Sequence, residues 1–548
     1  MDFVLALHSH LPYVLHHGRW PHGSDWLCEA AVDTYLPLLA TLEDLARRGV
    51  AAPVTIGFTP VLANQLASPD FVQELEAFFD QREAVCREAP AALAATGDGA
   101  LAPLVQFWTA RLGALRRLFH SVDQDIVAAF RRLQDGGHLE IIGSAATHGY
   151  LPLLARDESI RLQLAVGRRE HRRLFGRDPA GCWLPECAYR PRTLGRPGIE
   201  EHLAAAGFRY FFTDAHLAHA GLPLGTYAEI PLGAERFDAE RHEVASGRSI
   251  ATERSPYRAY RVTPPRAQPS VSALVRDPRS SMQVWSRHQG YPGDEWYLEF
   301  HKIRWPGGLK LWRVTGADVD LGAKRPYEPP AALDRARVHA RHFADLLAGI
   351  AAERMGRGND LRVVVAPFDT ELFGHWWFEG VDFLGAVYDE LRHRAAVRPA
   401  TASRHLTDHP ARTSLQLAEG SWGVNGDHTM WLNDRTAWTW TRLHALEEAF
   451  WRAAPAALGA PGARPVLAQA ARELLLAQAS DWQFMISTGA VPDYAERRFD
   501  LHCGDAERLV AALTPGSATD GLGQAAELER RDGLFPTVLD ALAEVLQE

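Results

Sequence analysis

Two short segments of the chain each place a carboxylate among aromatic rings. In residues 183–189, Glu186 follows a proline and lies between a tryptophan and a tyrosine. In residues 367–377, Asp369 follows an apolar run and precedes a histidine and two tryptophans. Glycosidic-bond chemistry needs this combination, since one carboxyl attacks or activates, the other delivers a proton, and flat rings hold a sugar. We therefore expect a carbohydrate-active enzyme.

Each of these acids also has a purely structural interpretation. A glutamate after a proline at a strand end is often a cap or a salt-bridge partner. Asp369 could begin a helix, because aspartate is favoured at helix N-caps, and Glu371 is a competing acid in the same segment. The aromatic neighbours and the preceding apolar runs favour Glu186 and Asp369 as the catalytic pair.

Histidines cluster after the predicted strands. His8 and His10 follow the first strand, His148 follows the third, and His375 lies in the second acidic segment. A His-x-His pair at a strand end can hold zinc with an acid such as Asp214, which would indicate a metal-dependent hydrolase or deacetylase. The interpretation that we favour is that these imidazoles bind sugar hydroxyls and orient the carboxylates.

Two further clusters carry residue types that bind sugars. Arg276 precedes Trp285, whose ring offers a stacking face, and Gly293, which lets the backbone approach a ligand closely. Trp422 lies in a turn rich in glycine and asparagine, where a buried hydrophobic side chain is less expected. Trp431 follows in the same region. We expect Trp422 to serve as a sugar-stacking platform.

Asp481 is expected on the apolar face of a helix. Leu467, Ala470, Leu474 and Ala477 mark a buried stripe, and Asp481 continues their spacing. An acid at such a position must find polar partners. We therefore expect it to face the cleft.

The elements that position these residues alternate over the first 400 residues. Apolar runs predict seven strands, and helical periodicity, for example over 333–350, separates most of them. This alternation predicts a parallel α/β sheet closed into a barrel, with the chemistry at the carboxyl ends of the strands. The predicted strands are 3–7, 54–58, 139–143, 182–184, 209–213, 282–285 and 362–366.

Two stretches interrupt the alternation. Residues 69–130 are predicted to form a helical insertion, and residues 225–269 a long loop of the kind that forms lids or binding elements. We expect a catalytic domain over 1–400 and an α-helical domain over 401–548.

Composition bounds the partners and the compartment. The chain has 548 residues, 47% of them hydrophobic and 23% charged, and its net charge of −10 argues against nucleic acid or an anionic membrane as partner. The start has no signal-peptide pattern, and no run approaches the roughly 18 apolar residues of a membrane span. Five scattered cysteines indicate buried thiols in a reducing compartment. We expect a cytoplasmic monomer or small homo-oligomer.

Five ordered motifs together resemble glycoside hydrolase family 57, and within it the 1,4-α-glucan branching enzymes. They are residues 8–13, residues 143–149, the segments of Glu186 and Asp369, and residues 422–431. The resemblance implies an incomplete (β/α)7 barrel with a helical insertion and a C-terminal α-helical domain lining the cleft. It also implies that Glu186 is the nucleophile and Asp369 the general acid/base, with no metal or cofactor.

The resemblance further implies a substrate and a reaction. The substrate would be an α-1,4-glucan such as amylose, amylopectin or glycogen, and the reaction a retaining transfer of a glucan segment to a glucose O6. Positions that resemble substrate contacts or cleft aromatics of such enzymes are Arg276, Trp285, Gly293, Trp422, Trp431 and Asp481.

Three alternatives remain open beside the metal-dependent hydrolase or deacetylase considered above. α-Amylases and 4-α-glucanotransferases of the same family share the two acids and differ in the cleft and its loop. A non-catalytic glucan-binding protein is the third. Branching enzymes of this type carry a loop tyrosine that keeps water from the intermediate, and Tyr257 and Tyr260 are the candidates here.

Overall fold

The computed structural model describes residues 1–224, 254–262, 270–285, 290–305, 307–316, 318–354, 361–513 and 518–547. Most of the predicted loop over 225–269 therefore lies outside the described residues. Inside that range the structure describes a strand, Ala259–Val262.

The described strands form one curled sheet, and a single parallel bridge, Arg276 with Val365, links the end of β7 to β8. Its order is β10-β6-β7-β5-β4-β3-β2-β1-β8, and β9 pairs with β1. All strand pairs are parallel except β6 with β7. The prediction of an incomplete parallel barrel is confirmed. The strands are β1 Asp2–Ser9, β2 Val54–Phe58, β3 Leu139–Ser144, β4 Gly181–Trp183, β5 Tyr210–Thr213, β6 Ala259–Val262, β7 Val271–Val275, β8 Val363–Asp369, β9 Arg398–Pro399 and β10 Thr413–Ser414.

Strand β1 lies inside the sheet and is buried over its whole length. Its near-continuous apolar run is typical of a parallel strand covered on both faces. In register, His8 faces Gly57 of β2 on one side and Asp369 of β8 on the other. The ends of three strands therefore meet at one level, and this level carries the site.

Helices cover the sheet and form most of the C-terminal region. Pro329–Arg354 buries one face with Ala336, Ala340, Phe343 and Leu347, as its periodicity predicts. The other helices are Ser24–Ala30, Leu36–Arg47, Pro60–Leu66, Pro69–Ala95, Ala102–Ser121, Ile126–Asp135, Asp157–Phe175, Ile199–Ala205, Pro278–Trp285, Gly380–Leu391, Ala402–Asp408, Ala437–Gly459, Arg464–Ala477, Asp481–Thr488, Pro492–Ala512, Ala518–Asp532 and Val538–Gln547. None of the helices in the described part of the chain combines the length and apolar character needed to cross a bilayer.

One predicted strand is wrong. Residues 282–285 end the helix Pro278–Trp285. The strand that takes the place of this predicted one is β7, Val271–Val275, which pairs parallel with β5. The Asp277 carboxylate accepts a hydrogen bond from Ser280 N at 2.8 Å, which satisfies a free amide at the helix start. A short apolar run carries no period that separates a strand from a buried helical turn.

The predicted continuous helix through Asp481 is also wrong. One helix ends at Ala477 and the next begins at Asp481. Between them Ala479 forms an antiparallel bridge with Gly149, and Ser480 N donates to His148 O at 3.1 Å. Backbone pairing with a barrel loop therefore replaces helical hydrogen bonds at this break.

Candidate active site

Glu186 lies in the loop that follows β4. Its backbone adopts φ +60°, a left-handed conformation that is unfavourable for a residue with a β-carbon. Cys187 N donates to Leu184 O at 2.8 Å, and Trp422 N donates to Glu186 O at 3.1 Å. These bonds hold the strained turn and fix the direction of the carboxylate.

The two oxygens of the Glu186 carboxylate have different donors. Trp422 Nε1 donates to Oε2 at 2.9 Å, and Ser480 Oγ donates to Oε1 at 3.2 Å. His148 Nδ1 lies 3.7 Å from Oε1. Burial raises the pKa of Glu186 to about 7, against the opposing effect of the indole and hydroxyl donors. The Glu186 carboxyl therefore changes its ionisation state near neutral pH.

Asp369 is the last residue of β8 and is half-buried. In the register of β1 and β8, Asp369 lies opposite His8, whose Nε2 is 2.9 Å from His148 Nε2. His148 Nδ1 in turn lies 3.7 Å from Glu186 Oε1. These contacts join the carboxyl ends of β8 and β4, which carry the two acids.

Glu371, the competing acid in the same segment, is less exposed than Asp369. It is buried, and its Oε1 accepts hydrogen bonds from Tyr35 OH at 2.5 Å and from His10 N at 3.2 Å. Burial raises its pKa to about 7. These contacts make Glu371 an anchor for the His10 backbone and leave Asp369 as the more exposed acid.

Three histidine rings stack beside Glu186. The His10 and His148 ring centroids are 4.0 Å apart, and those of His8 and His148 are 4.9 Å apart. Burial lowers the pKa of His8 and of His148, so both are neutral near pH 7. The structure thus brings two predicted site histidines, His10 and His148, next to the predicted nucleophile.

His10 differs from its two neighbours in charge. Its Nε2 lies 3.0 Å from the Asp481 carboxylate, and its Nδ1 lies 2.9 Å from Thr59 Oγ1. Burial opposes its protonation, but Asp481, Glu186 and Glu371 together outweigh burial, so the pKa of His10 is raised. The paired Asp481 carboxylate therefore favours the protonated form of His10.

Arg276 is buried between two tryptophans. Its guanidinium carbon lies 5.7 Å from the Trp285 ring centre and 5.6 Å from that of Trp422, within cation–π range. Its Nη1 lies 3.5 Å from Asp214 Oδ2. Asp214, considered above as a zinc ligand beside His8 and His10, faces Arg276 instead.

Trp422 and Trp431 are both covered by other side chains. Trp422 is 1% exposed and packs edge-on against Trp183 and Trp285, with ring centroids 5.4 Å and 5.9 Å away. Trp431 is 0% exposed and stacks on Tyr150 at 4.6 Å. Neither ring offers a free face in this structure, and the described role of Trp422 is to hold Glu186.

Two other predicted site residues have different surroundings. His375 N donates to Thr34 Oγ1 at 3.1 Å, and its Nδ1 lies 3.3 Å from Asp33 Oδ2. Gly293 ends a 3-10 turn, Tyr291–Gly293, and is partly buried. Their substrate contacts stay predictions from the resemblance.

The two candidate gate tyrosines belong to the framework. Tyr260 is buried in β6, and its hydroxyl donates to Ser255 O at 2.9 Å. Tyr257 is 3% exposed and lies beneath the Arg354 guanidinium at 4.5 Å. Neither position suits a mobile gate.

Two groups of side chains in the described residues have spacing that could hold a metal ion. His10, His148 and Asp481 form one group, and the second consists of Glu473, His502 and Asp532. In the first, the ring nitrogens are engaged with Thr59, Asp481, His8 and Ser480. In the second, His502 Nδ1 lies 2.8 Å from Glu473 and Asp532 lies 2.6 Å from His17. Each group is satisfied by protein hydrogen bonds.

Sequence reasoning missed three residues that position the site: Ser480, Thr59 and Tyr35. Each is a common residue type, and each meets its partner through the fold. The one available signal was for Ser480, which directly precedes the predicted Asp481.

Two family models together match most of the chain. Residues 4–418 match the model of glycosyl hydrolase family 57, and residues 442–541 match that of the 1,4-alpha-glucan branching enzyme C-terminal region. A 1,4-alpha-glucan branching enzyme of Thermococcus kodakarensis is 38% identical, with 98% of this chain and 77% of that protein covered.

Solved structures place the same fold over the whole chain. A family 57-type branching enzyme from Pyrococcus horikoshii has a TM-score of 0.88 and 38% identity, covering 99% of this chain and 96% of that one. The alpha-amylase AmyC from Thermotoga maritima has a TM-score of 0.81 and 28% identity, covering 99% of each. With the family model matched from β1 past β10, over the strands that carry both acids, the chain belongs to glycosyl hydrolase family 57.

Proposed function

We propose that the protein is a 1,4-α-glucan branching enzyme acting through Glu186 and Asp369. The observation that carries the proposal is the Glu186 carboxylate, held by Trp422 and Ser480 after β4, with Asp369 at the carboxyl end of β8 opposite His8. The relatives named as branching enzymes match nearly the whole of this chain, which supports the assignment.

The first half of the reaction cleaves an α-1,4 bond. Glu186 attacks C1 of a glucose while Asp369 gives its proton to the departing O4, so the C1–O4 bond breaks and a glucosyl-Glu186 ester forms. The attacking carboxylate must be ionised, which the Trp422 and Ser480 donors favour. The proton-donating acid must be protonated at this moment.

The second half transfers the segment. Asp369, now ionised, takes the proton from an acceptor O6 hydroxyl, and that oxygen attacks C1 as Glu186 leaves. Two inversions give net retention, and the new bond is α-1,6. Transfer exceeds hydrolysis where the acceptor is held and water is excluded.

The His10–Asp481 pair supports the nucleophile. A protonated His10 next to Glu186 lowers the cost of a buried carboxylate, while Asp481 keeps His10 charged. We further propose substrate contacts at the remaining predicted positions, on the strength of the family resemblance. These are His148, Arg276, Trp285, Gly293, His375 and Asp481, whereas the buried rings of Trp422 and Trp431 support the site by packing and, for Trp422, by the bond to Glu186.

The setting of the reaction is part of the proposal. We propose that the enzyme acts in glycogen-type glucan synthesis in the cytoplasm. All five cysteines are buried free thiols, in keeping with a reducing compartment.

The test is incubation of purified protein with amylose. New α-1,6 linkages are scored by proton NMR, and reducing ends are counted in the same samples. Glu186→Gln and Asp369→Asn are run beside the wild type. We expect α-1,6 signal with few new reducing ends, lost in both variants.

Because the chain is also similar to an alpha-amylase, the same assay must distinguish hydrolysis from branching. Reducing ends without α-1,6 signal would identify an amylase and refute branching. A new distribution of linear α-1,4 chains would instead indicate a glucanotransferase. Binding of amylose with no change of linkage would leave a glucan-binding protein.

A further inference from the structure

A buried chain of hydrogen bonds leads from β1 to the Glu186 carboxylate. His8 Nε2 lies 2.9 Å from His148 Nε2, and His148 Nδ1 lies 2.9 Å from Ser480 Oγ. Ser480 Oγ lies 3.2 Å from Glu186 Oε1. His8, His148 and Ser480 are each no more than 3% exposed. Water has little access to any link of this chain.

The chemistry of the end group sets the direction of every link. An ionised carboxylate only accepts, so Ser480 donates its single proton to Glu186 and must accept from His148 Nδ1–H. A neutral His148 then accepts at Nε2 from His8 Nε2–H. His8 Nδ1 is left as the bare nitrogen, and among the described residues it has no hydrogen-bond partner.

Both rings have the protonation state that this direction requires. Burial lowers the pKa of His8 and His148, and positive charge on His10 lowers both further. The His8 ring also lies flat on Trp183, with centroids 4.6 Å apart and planes 2° from parallel. His8, at the end of the hydrogen-bond chain away from Glu186, therefore has one orientation and one charge state.

We propose that Ser480 is a positioning residue for Glu186, the last donor of a one-way chain that begins at His8 and passes through His148. The serine keeps Oε1 in place and ionised for attack on C1. Trp422 does the same for Oε2 from the other side. The inference rests on the proposed function only in taking Glu186 as the nucleophile.

Other charged groups also act on Glu186 and must be held constant in any test. Asp481 raises its pKa and His10 lowers it. His148 Nδ1 lies 3.7 Å from Oε1. Substitution of Ser480 changes none of these charges, so a shift in the ionisation of Glu186 reports the lost hydroxyl.

The test is the pH dependence of kcat/KM for amylose in Ser480→Ala. Loss of one donor to a charged oxygen moves the acid limb upward by about one pH unit. At a pH below the limb, kcat/KM falls about tenfold, and at high pH the two enzymes converge. Ser480→Thr, which keeps the hydroxyl, restores the wild-type limb, and Ser480→Cys, with a weaker donor, gives an intermediate limb.

Ser487→Ala is the matched control. Ser487 is a buried serine of the adjoining helix, and it accepts from Asn433 Nδ2 at 2.8 Å rather than contacting an acid. Its limb stays at the wild-type pH. A Ser480→Ala enzyme that loses kcat/KM equally at every pH, with its limb unmoved, would show a packing role and overturn the proposal.

A second experiment tests whether His8 affects Glu186 through the hydrogen bonds of His148 and Ser480. His8→Phe keeps a flat ring against Trp183 but has no donor for His148. We expect it to raise the acid limb by less than Ser480→Ala does, and to add nothing in the Ser480→Ala background, since the link is already broken. Equal shifts in both backgrounds would refute transmission through Ser480.

Different results would overturn the positioning role of Ser480 and the assignment of Glu186 as nucleophile. If Glu186→Gln is inactive while Ser480→Ala keeps the wild-type limb, the positioning role is wrong and the nucleophile assignment stands. If Glu186→Gln keeps full activity, the proposed function is wrong and the role of Ser480 falls with it.

Discussion

The indole nitrogen of Trp422 donates to the Glu186 carboxylate at 2.9 Å, across 236 positions of sequence. Trp422 N also donates to Glu186 O at 3.1 Å, so backbone and side chain both join the two residues. The loop after β4 is thereby tied to the segment that leads into the C-terminal helices. A partly buried acid with a strained backbone is therefore held by a residue outside its own strand.

Trp422→Phe should remove one donor to Glu186 and keep an aromatic ring in the pocket. Hydrogen bonds to charged groups contribute about 1.5–3 kcal/mol, so we expect kcat/KM to fall about 10- to 100-fold near neutral pH. The wild-type enzyme should lose activity as pH falls through about 7, where burial places the pKa of Glu186. In the variant that limb should move upward.

Trp451→Phe is the control for this substitution. Trp451 is buried, and its Nε1 donates to Ser159 Oγ at 2.8 Å. The Trp451→Phe variant therefore loses a similar indole hydrogen bond that involves neither acid. A pH profile shifted equally in both variants would mean that the effect is one of stability rather than of contact with Glu186.

The roles of the two acids can be separated by azide rescue with an activated α-glucosyl substrate. In Asp369→Ala, azide attacks the glucosyl-Glu186 ester and should give the α-azide with retention. In Glu186→Ala, azide replaces the nucleophile and should give the β-azide by a single inversion. Product anomers are assigned by NMR, and the reverse pattern would exchange the two roles.

His171 offers a test of the buried histidines. It lies in the helix Asp157–Phe175, and within the described residues neither ring nitrogen has a hydrogen-bond partner. Burial lowers its pKa to about 3. Between pH 3 and 6.5 the unfolded chain therefore binds a proton that the folded chain does not, and folding stability is lost as pH falls through this window.

His171→Leu should remove that loss. From pH 7.5 to pH 5, the free energy of unfolding of the variant should rise relative to wild type by about 2 kcal/mol, measured by urea unfolding at both values. His393→Leu, at an exposed position, should show no such change. A flat difference for His171→Leu would mean that this ring is charged or solvated in the folded state.

Removal of metal ions should leave branching unchanged. The ring nitrogens and the carboxylate of the His10, His148 and Asp481 group are satisfied by hydrogen bonds with one another and with Thr59, His8 and Ser480. We expect the same rate of α-1,6 formation before and after dialysis against a chelator. Loss of activity that returns with zinc would favour a metal-dependent mechanism.

Local patterns were enough for much of the framework. The apolar runs of β1 and β2 and the periodic face of Pro329–Arg354 predicted their elements, because both faces of a buried strand and one face of a helix leave a regular mark. The strand predicted at residues 282–285 was wrong, because a few apolar residues fit either a strand or a helical turn.

The sequence by itself predicted the two candidate acids and determined the family and the alternating fold, because strand ends and aromatic neighbours are encoded next to the residues they mark. Only the tertiary structure decided what holds Glu186. Ser480 lies 294 positions from it and Trp422 lies 236, and neither distance is expressed in any local period. The tertiary structure also set the charges of the three stacked histidines, since those charges depend on burial and on neighbours that the fold supplies.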